Sequence, residues 1–176
     1  MSVQAQSDGD FAIRNAHPED AAHIVEFYNR VGGETDYLSF GCDEYPQSAD
    51  EVAQSISGME ESVGNCMLLM MNNEEIVGIG TIDSSSKKRF HHVGTLGIVI
   101  CQSHAGKGLG RVLMNALIDW SKENGRIEKI TLVTRADNEW AIALYEKLGF
   151  EREGVFRKDS YDGERYFDSL SMALFL

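Results

Sequence analysis

The chain has 176 residues, is 43% hydrophobic and 25% charged, and sets 16 Lys and Arg against 28 Asp and Glu, a formal net charge of −12. Its length fits one domain and its apolar content suffices for a core, which excludes wholesale disorder. The acidic balance repels phosphate backbones and anionic headgroups, no apolar run reaches the roughly 18 residues of a spanning helix, and the start lacks a signal-peptide pattern. A soluble cytoplasmic protein is therefore expected, with neither nucleic acid nor membrane as partner. Cys42, Cys66 and Cys101 show no C-x-x-C spacing and read as buried thiols, not as disulfides or a zinc knuckle.

Met1 to Gly9 is small and polar without periodicity, which predicts a loose tail over residues 1–9 before a single domain over residues 10–176. Phe11, Ile13 and Ala16 read as a short strand. Pro18, Glu19 and Asp20 suit the first turn of a helix that carries Ala21, Ile24, Val25 and Tyr28 at helical spacing, with Gly32 and Gly33 expected to stop it in the left-handed conformation. Glu34 to Tyr45 has no clean period and predicts a binding loop. Ser48-Ala49-Asp50-Glu51 has the form of a capping box, ahead of a helix with Val52, Ile56 and Met59 along one stripe. Met67 to Met71 and Ile76 to Ile82 predict a β-hairpin, and Val93 to Cys101 a central strand. Leu109, Val112, Leu113, Ala116, Leu117 and Trp120 recur at intervals of 3 and 4 up to Asn124-Gly125, the clearest helix in the chain. Ile127 to Val133 then predicts a strand, Asn138 to Leu148 a helix ended by Gly149, and Phe150 to Phe156 with Tyr166 to Leu174 two closing strands around a turn at Asp162-Gly163. The sum is a mixed α/β (α+β) domain.

Between the central strand and the strongest helix lies Ala105-Gly106-Lys107-Gly108-Leu109-Gly110-Arg111. A glycine-rich turn at a helix N-terminus gathers unpaired N–H groups and the positive end of the helix dipole, which predicts a phosphate cradle with Lys107 and Arg111 beside it. Neither the P-loop form nor the dinucleotide form G-x-G-x-x-G is satisfied, since Leu109 follows Gly108 and Arg111 follows Gly110.

This cluster resembles the acetyl-coenzyme A motif of the GNAT superfamily of N-acetyltransferases, Arg or Gln, two residues, Gly, one residue, Gly or Ala. Gly108-Leu109-Gly110 match it, and Ala105 stands where Arg or Gln is usual. A second run, from Asn138 through Ala141, Leu144-Tyr145, Lys147 and Gly149-Phe150, is similar to the superfamily's N-x-x-A-x-x-L-Y-x-K-x-G-F. By type Asn138 is a helix N-cap, and Tyr145, two turns on, shares roughly its helix face.

The resemblance implies a twisted, mostly antiparallel sheet of about seven strands, splayed in the middle and flanked by about four helices. It also implies acetyl-CoA as cosubstrate without a metal, and direct transfer, in which a neutral amine attacks the thioester carbonyl and coenzyme A leaves as a thiol. The backbone of Ile98, Val99 and Ile100 would pair with pantetheine, Asn138 would touch the pantetheine arm, and Tyr145 would be the general acid. For the base, Val93 to Cys101 offers no carboxylate, so the candidates are His92, Asp83 and Glu34, the last also a candidate for acceptor binding. His91 and His92, being adjacent, face opposite ways on a strand and make a weak metal pair. A small amine such as an amino acid or polyamine is the expected acceptor. A protein N-terminus or lysine is the alternative within the class, a non-catalytic acetyl-CoA-binding module the alternative outside it, and strand pairing between copies makes a homodimer one expected arrangement.

Overall fold

The computed structural model describes residues 11–176, so the tail expected over residues 1–9 and the expected domain start at residue 10 lie outside it. Strand β1 spans Phe11–Asn15, and a 3₁₀ turn at Pro18–Asp20 leads into α1, Ala21–Gly32. The helix α2 covers Ala49–Glu61, β2 Cys66–Asn72, β3 Glu75–Ser84 and β4 Val93–Ile100. A second 3₁₀ turn, Gln102–His104, precedes α3, Leu109–Asn124. The chain closes with β5 at Lys129–Arg135, α4 at Glu139–Lys147, β6 at Glu151–Tyr161 and β7 at Tyr166–Phe175. Among the described residues seven strands form one mixed sheet in the order β1-β2-β3-β4-β5-β7-β6, and the expected α/β architecture stands.

Several boundaries follow local chemistry. Ser48 and Glu51 close their capping box, with the Glu51 N–H donating to Ser48 Oγ and the Ser48 N–H to Glu51 Oε2 at 2.8 Å. At the end of α3, Gly125 takes the left-handed conformation with φ 69°. The end of α1 departs from expectation, because Gly33 keeps φ −86°. Gly32 is needed for close approach instead, since a Cβ there would collide with the carbonyl oxygen of Gly41 in the following loop.

The buried stripe of α3 is also rotated from the expected one. Leu109, Leu113, Met114, Leu117, Ile118 and Ser121 are buried, whereas Val112, Ala116 and Trp120 are only half-buried. The Ser121 hydroxyl is satisfied by Leu117 O at 2.8 Å, which lets a polar residue share the apolar face. A Cβ at Gly80 of β3 would lie 2.7 Å from Leu117 Cδ1, so α3 seats on the sheet where β3 has no side chain. Strand β6 runs five residues past the expected Phe156, through Arg157, Lys158, Asp159, Ser160 and Tyr161. It is an exposed edge, so nothing requires apolar residues there, and a bulge with Lys158 at φ 53° keeps it paired to β7. Of the three cysteines Cys66 and Cys101 are buried, but Cys42 is exposed on the α1–α2 loop. No helix among the described residues is long and apolar enough to cross a membrane.

Candidate active site

One interruption of the sheet creates the site. Strands β4 and β5 are parallel, and only Val93, Gly94 and Thr95 pair with Lys129, Ile130 and Thr131. Beyond Thr95 the strands part, so Leu96 to Ile100 present a backbone edge that has no strand partner among the described residues to a cleft of about 520 Å³. Leu132, Val133 and Thr134 of β5 form the opposite wall, while Ala141, Leu144 and Tyr145 of α4 and Asn138 before it also line it. The open edge leaves no buried polar group unpaired as long as solvent or a ligand meets these N–H and C=O groups.

At the far end of β4 the glycine cluster meets the cleft through Ala105 and Gly110, while Gly106 and Gly108 are exposed beyond its wall. Gly106 and Gly108 both hold left-handed backbone, φ 74° and 80°, a conformation that turns the chain tightly into α3 and that side chains rarely adopt. Gly108 is the N-cap of α3, without a side-chain cap, so the first N–H groups of the helix are left for a ligand or solvent. Ala105 and Gly110 line the cleft, whereas Lys107 and Arg111 are exposed and stand outside its wall. The cradle fits a diphosphate as a backbone site, and its Ala105 offers a methyl group where the resembled motif has Arg or Gln. The loop is anchored from a distance: Glu34 Oε2 accepts the Gln102 N–H at 2.6 Å.

Helix α4 aims the other half of the site. Asn138 caps it, accepting the Ala141 N–H at 3.3 Å on its Oδ1. Tyr145 packs the ring of its phenol against Phe150 at 5.9 Å and lines the cleft. Burial pushes that phenol up to about 12, so it is a proton donor throughout the ordinary pH range.

A second cavity of about 830 Å³ lies between the α1–α2 loop and the β6–β7 hairpin. It shares Thr35, Tyr37, Leu38, Val133 and Thr134 with the cleft, so the two spaces adjoin along one wall. Acids outnumber bases around it, with Asp36, Glu44, Asp159, Asp162 and Glu164 facing Arg135 and Arg165.

Residues 34–150, the loop, the cradle, the parted strands and α4, match the model of the acetyltransferase (GNAT) family. The chain belongs to the GNAT family. Among its relatives is the L-amino acid N-acetyltransferase AaaT of Escherichia coli, 29% identical over 130 residues that span 74% of this chain and 79% of that one. A GNAT acetyltransferase structure from Streptococcus pneumoniae superposes with a TM-score of 0.91 at 33% identity, over 94% of this chain and 99% of the other. A chain from Salmonella typhimurium, solved with its cofactor acetyl-CoA, shares the fold at a TM-score of 0.82 and 23% identity, covering 95% and 94%. Membership makes this chain an N-acetyltransferase by class.

Within this GNAT domain the three candidate bases are separated. Glu34 lines the cleft. His92 does not reach it: its carbonyl accepts the N–H groups of Glu128 and Lys129 at the joined end of the sheet, about 13 Å of strand before Leu96. Asp83 lies opposite Thr95, on the face shared with Gly97 and diagonally about 7 to 8 Å from it. The residue is exposed, yet desolvation raises its carboxyl above the usual range, against the opposing hydrogen bond from Thr81. Ile98, Val99, Ile100, Ala105, Gly110, Asn138 and Tyr145 are brought together on the cleft as expected sites, with Leu109 buried behind them. Tyr37 falls in the loop expected to bind, whereas sequence reasoning gave Arg135 and Phe167 of the second cavity no site role. The one available signal was an arginine at the end of a strand two residues before Asp137.

Proposed function

We propose that the chain transfers an acetyl group from acetyl-CoA directly to the primary amine of a small molecule, an amino acid or a polyamine. The observation that carries this reading is the unpaired edge of Leu96 to Ile100, which faces Tyr145 across the cleft and runs into the glycine cradle. Acetyl-CoA supplies the thioester whose carbonyl is attacked. The main chain of Ile98 to Ile100 holds its arm as an added strand would, and one N–H of that edge polarises the carbonyl. Backbone N–H groups at Gly106, Gly108 and Gly110 take the diphosphate, and Asn138 borders the arm. Tyr145 donates a hydrogen bond to the departing sulfur.

An alkylamine of ordinary pKa is neutral in only about one part in a few thousand at pH 7, so proton removal accelerates attack. Glu34 takes that part, directly or through a water, as the candidate that lines the cleft. The acid-rich second cavity supports an acceptor bearing positive charge, drawn toward the shared wall at Tyr37. The relative that acts on L-amino acids supports the same class of acceptor. One domain over residues 10–176 carries the whole reaction in this reading.

Thiol release from acetyl-CoA is the test, run against free amino acids, polyamines and short peptides with acetyl-CoA binding measured in parallel. Release dependent on an amino acid or polyamine supports the proposal. Release with peptides alone transfers it to protein acetylation, and binding without release from any acceptor overturns it in favour of a binding module.

A further inference from the structure

We propose that Arg135 is the positioning residue of the acceptor cavity, a latch that holds the α1–α2 loop against β7 and so sets the shape of that cavity. This rests on the reading above, in which the second cavity receives the acceptor. Arg135 ends β5, opposite Ser169 of β7, at the point where the cleft and the cavity adjoin. Its fork is committed on both arms. Nε and Nη2 donate to Asp137 Oδ1 and Oδ2 at 2.9 and 2.6 Å, and Nη1 donates to the carbonyl of Asp36 at 3.0 Å, across 99 residues of chain. The guanidinium carbon also lies 3.6 Å from the Phe167 ring centroid and 4.9 Å from that of Tyr37.

The pair with Asp137 alone would be an ordinary surface ion pair of little consequence. Here it does something else, because Asp137, two residues away on the same turn, fixes the direction of the guanidinium. A plane held in that direction meets one ring from β7 and one from the loop, and takes the loop's backbone carbonyl at its edge. Only 14% of the side chain is exposed. The loop between α1 and α2 has no ladder of its own, and its Tyr37, 47% exposed, meets the arginine from the other side of the cavity.

The second half of the loop rests on α1, with Phe40 and Tyr45 on the Tyr28 ring and the Tyr45 N–H donating to Asn29 Oδ1, while two anchors hold its first half. Glu34 ties its start to the cradle through Gln102, and Arg135 ties Asp36 and Tyr37 to the hairpin side. Releasing the second leaves the first in place, so acceptor binding and cofactor binding separate. Lysine keeps the charge but has neither the fork nor the plane, so it cannot substitute.

The test compares wild type with Arg135→Lys and Arg135→Ala by hydrogen exchange and by kinetics on the best acceptor found in the panel. Exchange of amides in residues 35–41 is expected to accelerate about tenfold or more in both variants, while β2, β3 and the cradle keep wild-type protection. The acceptor KM is expected to rise about 10- to 100-fold, with kcat and the Kd of acetyl-CoA changed less than about twofold. Arg135→Lys guards against a variant that fails to fold, and Phe167→Leu, which removes one ring, is expected to give a smaller effect of the same kind. Unchanged exchange in residues 35–41 overturns the latch whether or not the protein turns over any amine. Faster exchange with an unchanged acceptor KM, or an equal loss of acetyl-CoA binding, overturns the positioning role. Absence of turnover in wild type overturns the proposed function instead, and exchange still decides the latch.

Discussion

Tyr145→Phe deletes one hydroxyl and leaves the ring on Phe150, so the fold is expected to persist. Burial raises the phenol to about 12, whereas an ordinary thiol titrates near ~8.5. Complete transfer of its proton to a departing thiolate of that kind is uphill by about 5 kcal/mol. Tyr145 then contributes as a hydrogen bond to a charged acceptor, about 1.5 to 3 kcal/mol, which is roughly 10- to 160-fold in rate. Thiol release at saturating acceptor, with acetyl-CoA affinity from calorimetry, reads both halves. The expected result is a kcat lowered by about 10- to 160-fold and a Kd within about twofold of wild type. The pH profile adds a second reading: because the phenol keeps its proton to about 12, Tyr145 imposes no falling limb below pH ~10, and the rate climbs as the acceptor amine deprotonates. An unchanged kcat in Tyr145→Phe, or a falling limb near pH 9 that this substitution abolishes, refutes the argument.

Glu34→Gln retains an oxygen for the Gln102 N–H but removes the basic group, so kcat is expected to fall about 100-fold with acetyl-CoA affinity little changed. Glu34→Ala also frees the Gln102 amide, and calorimetry is expected to show weaker acetyl-CoA binding; equal kcat in wild type and Glu34→Gln removes Glu34 as base. Asp83→Asn is expected to leave turnover within about twofold and to raise Tm at pH 7, since desolvation disfavours the carboxylate. The folded state holds that proton more tightly than the unfolded chain, so stability from this group is full below about pH 4 and is lost as pH rises through the raised value; the Tm advantage of Asp83→Asn should therefore vanish on acidification. Gly32→Ala sets a Cβ against the Gly41 carbonyl, an overpacking expected to cost about 1 to 3 kcal/mol and to lower Tm by roughly 3 to 10 °C. A Tm within about 1 °C of wild type contradicts the tight approach of loop to helix.

What was legible in the sequence is what neighbouring residues decide among themselves. The Ser48–Glu51 box, the Asn138 cap and the glycines before α3 each act within a few positions, so type and spacing suffice. The two anchors of the α1–α2 loop join residues 68 and 99 positions apart, and no local pattern encodes them. His92 reads as a site residue by its chemistry alone, and the strand's direction then carries it to the wrong end of the sheet. Gly32 was read for its backbone freedom, but its use is the space left by a missing side chain, which depends on Gly41 arriving opposite. The length of β6 escaped notice because edge strands dispense with the alternation by which strands are recognised.

The parted strands have a mechanical consequence. With three residue pairs between β4 and β5, the sheet is two leaves on a short hinge, β1 to β4 on one side and β5 to β7 on the other. A ligand lying along Leu96 to Ile100 acts as a splint across the gap. At a hundred times its Kd it would add about 2.7 kcal/mol to the folded state. In the proposed reaction such a domain would borrow stiffness from its cosubstrate and would slacken each time the product leaves.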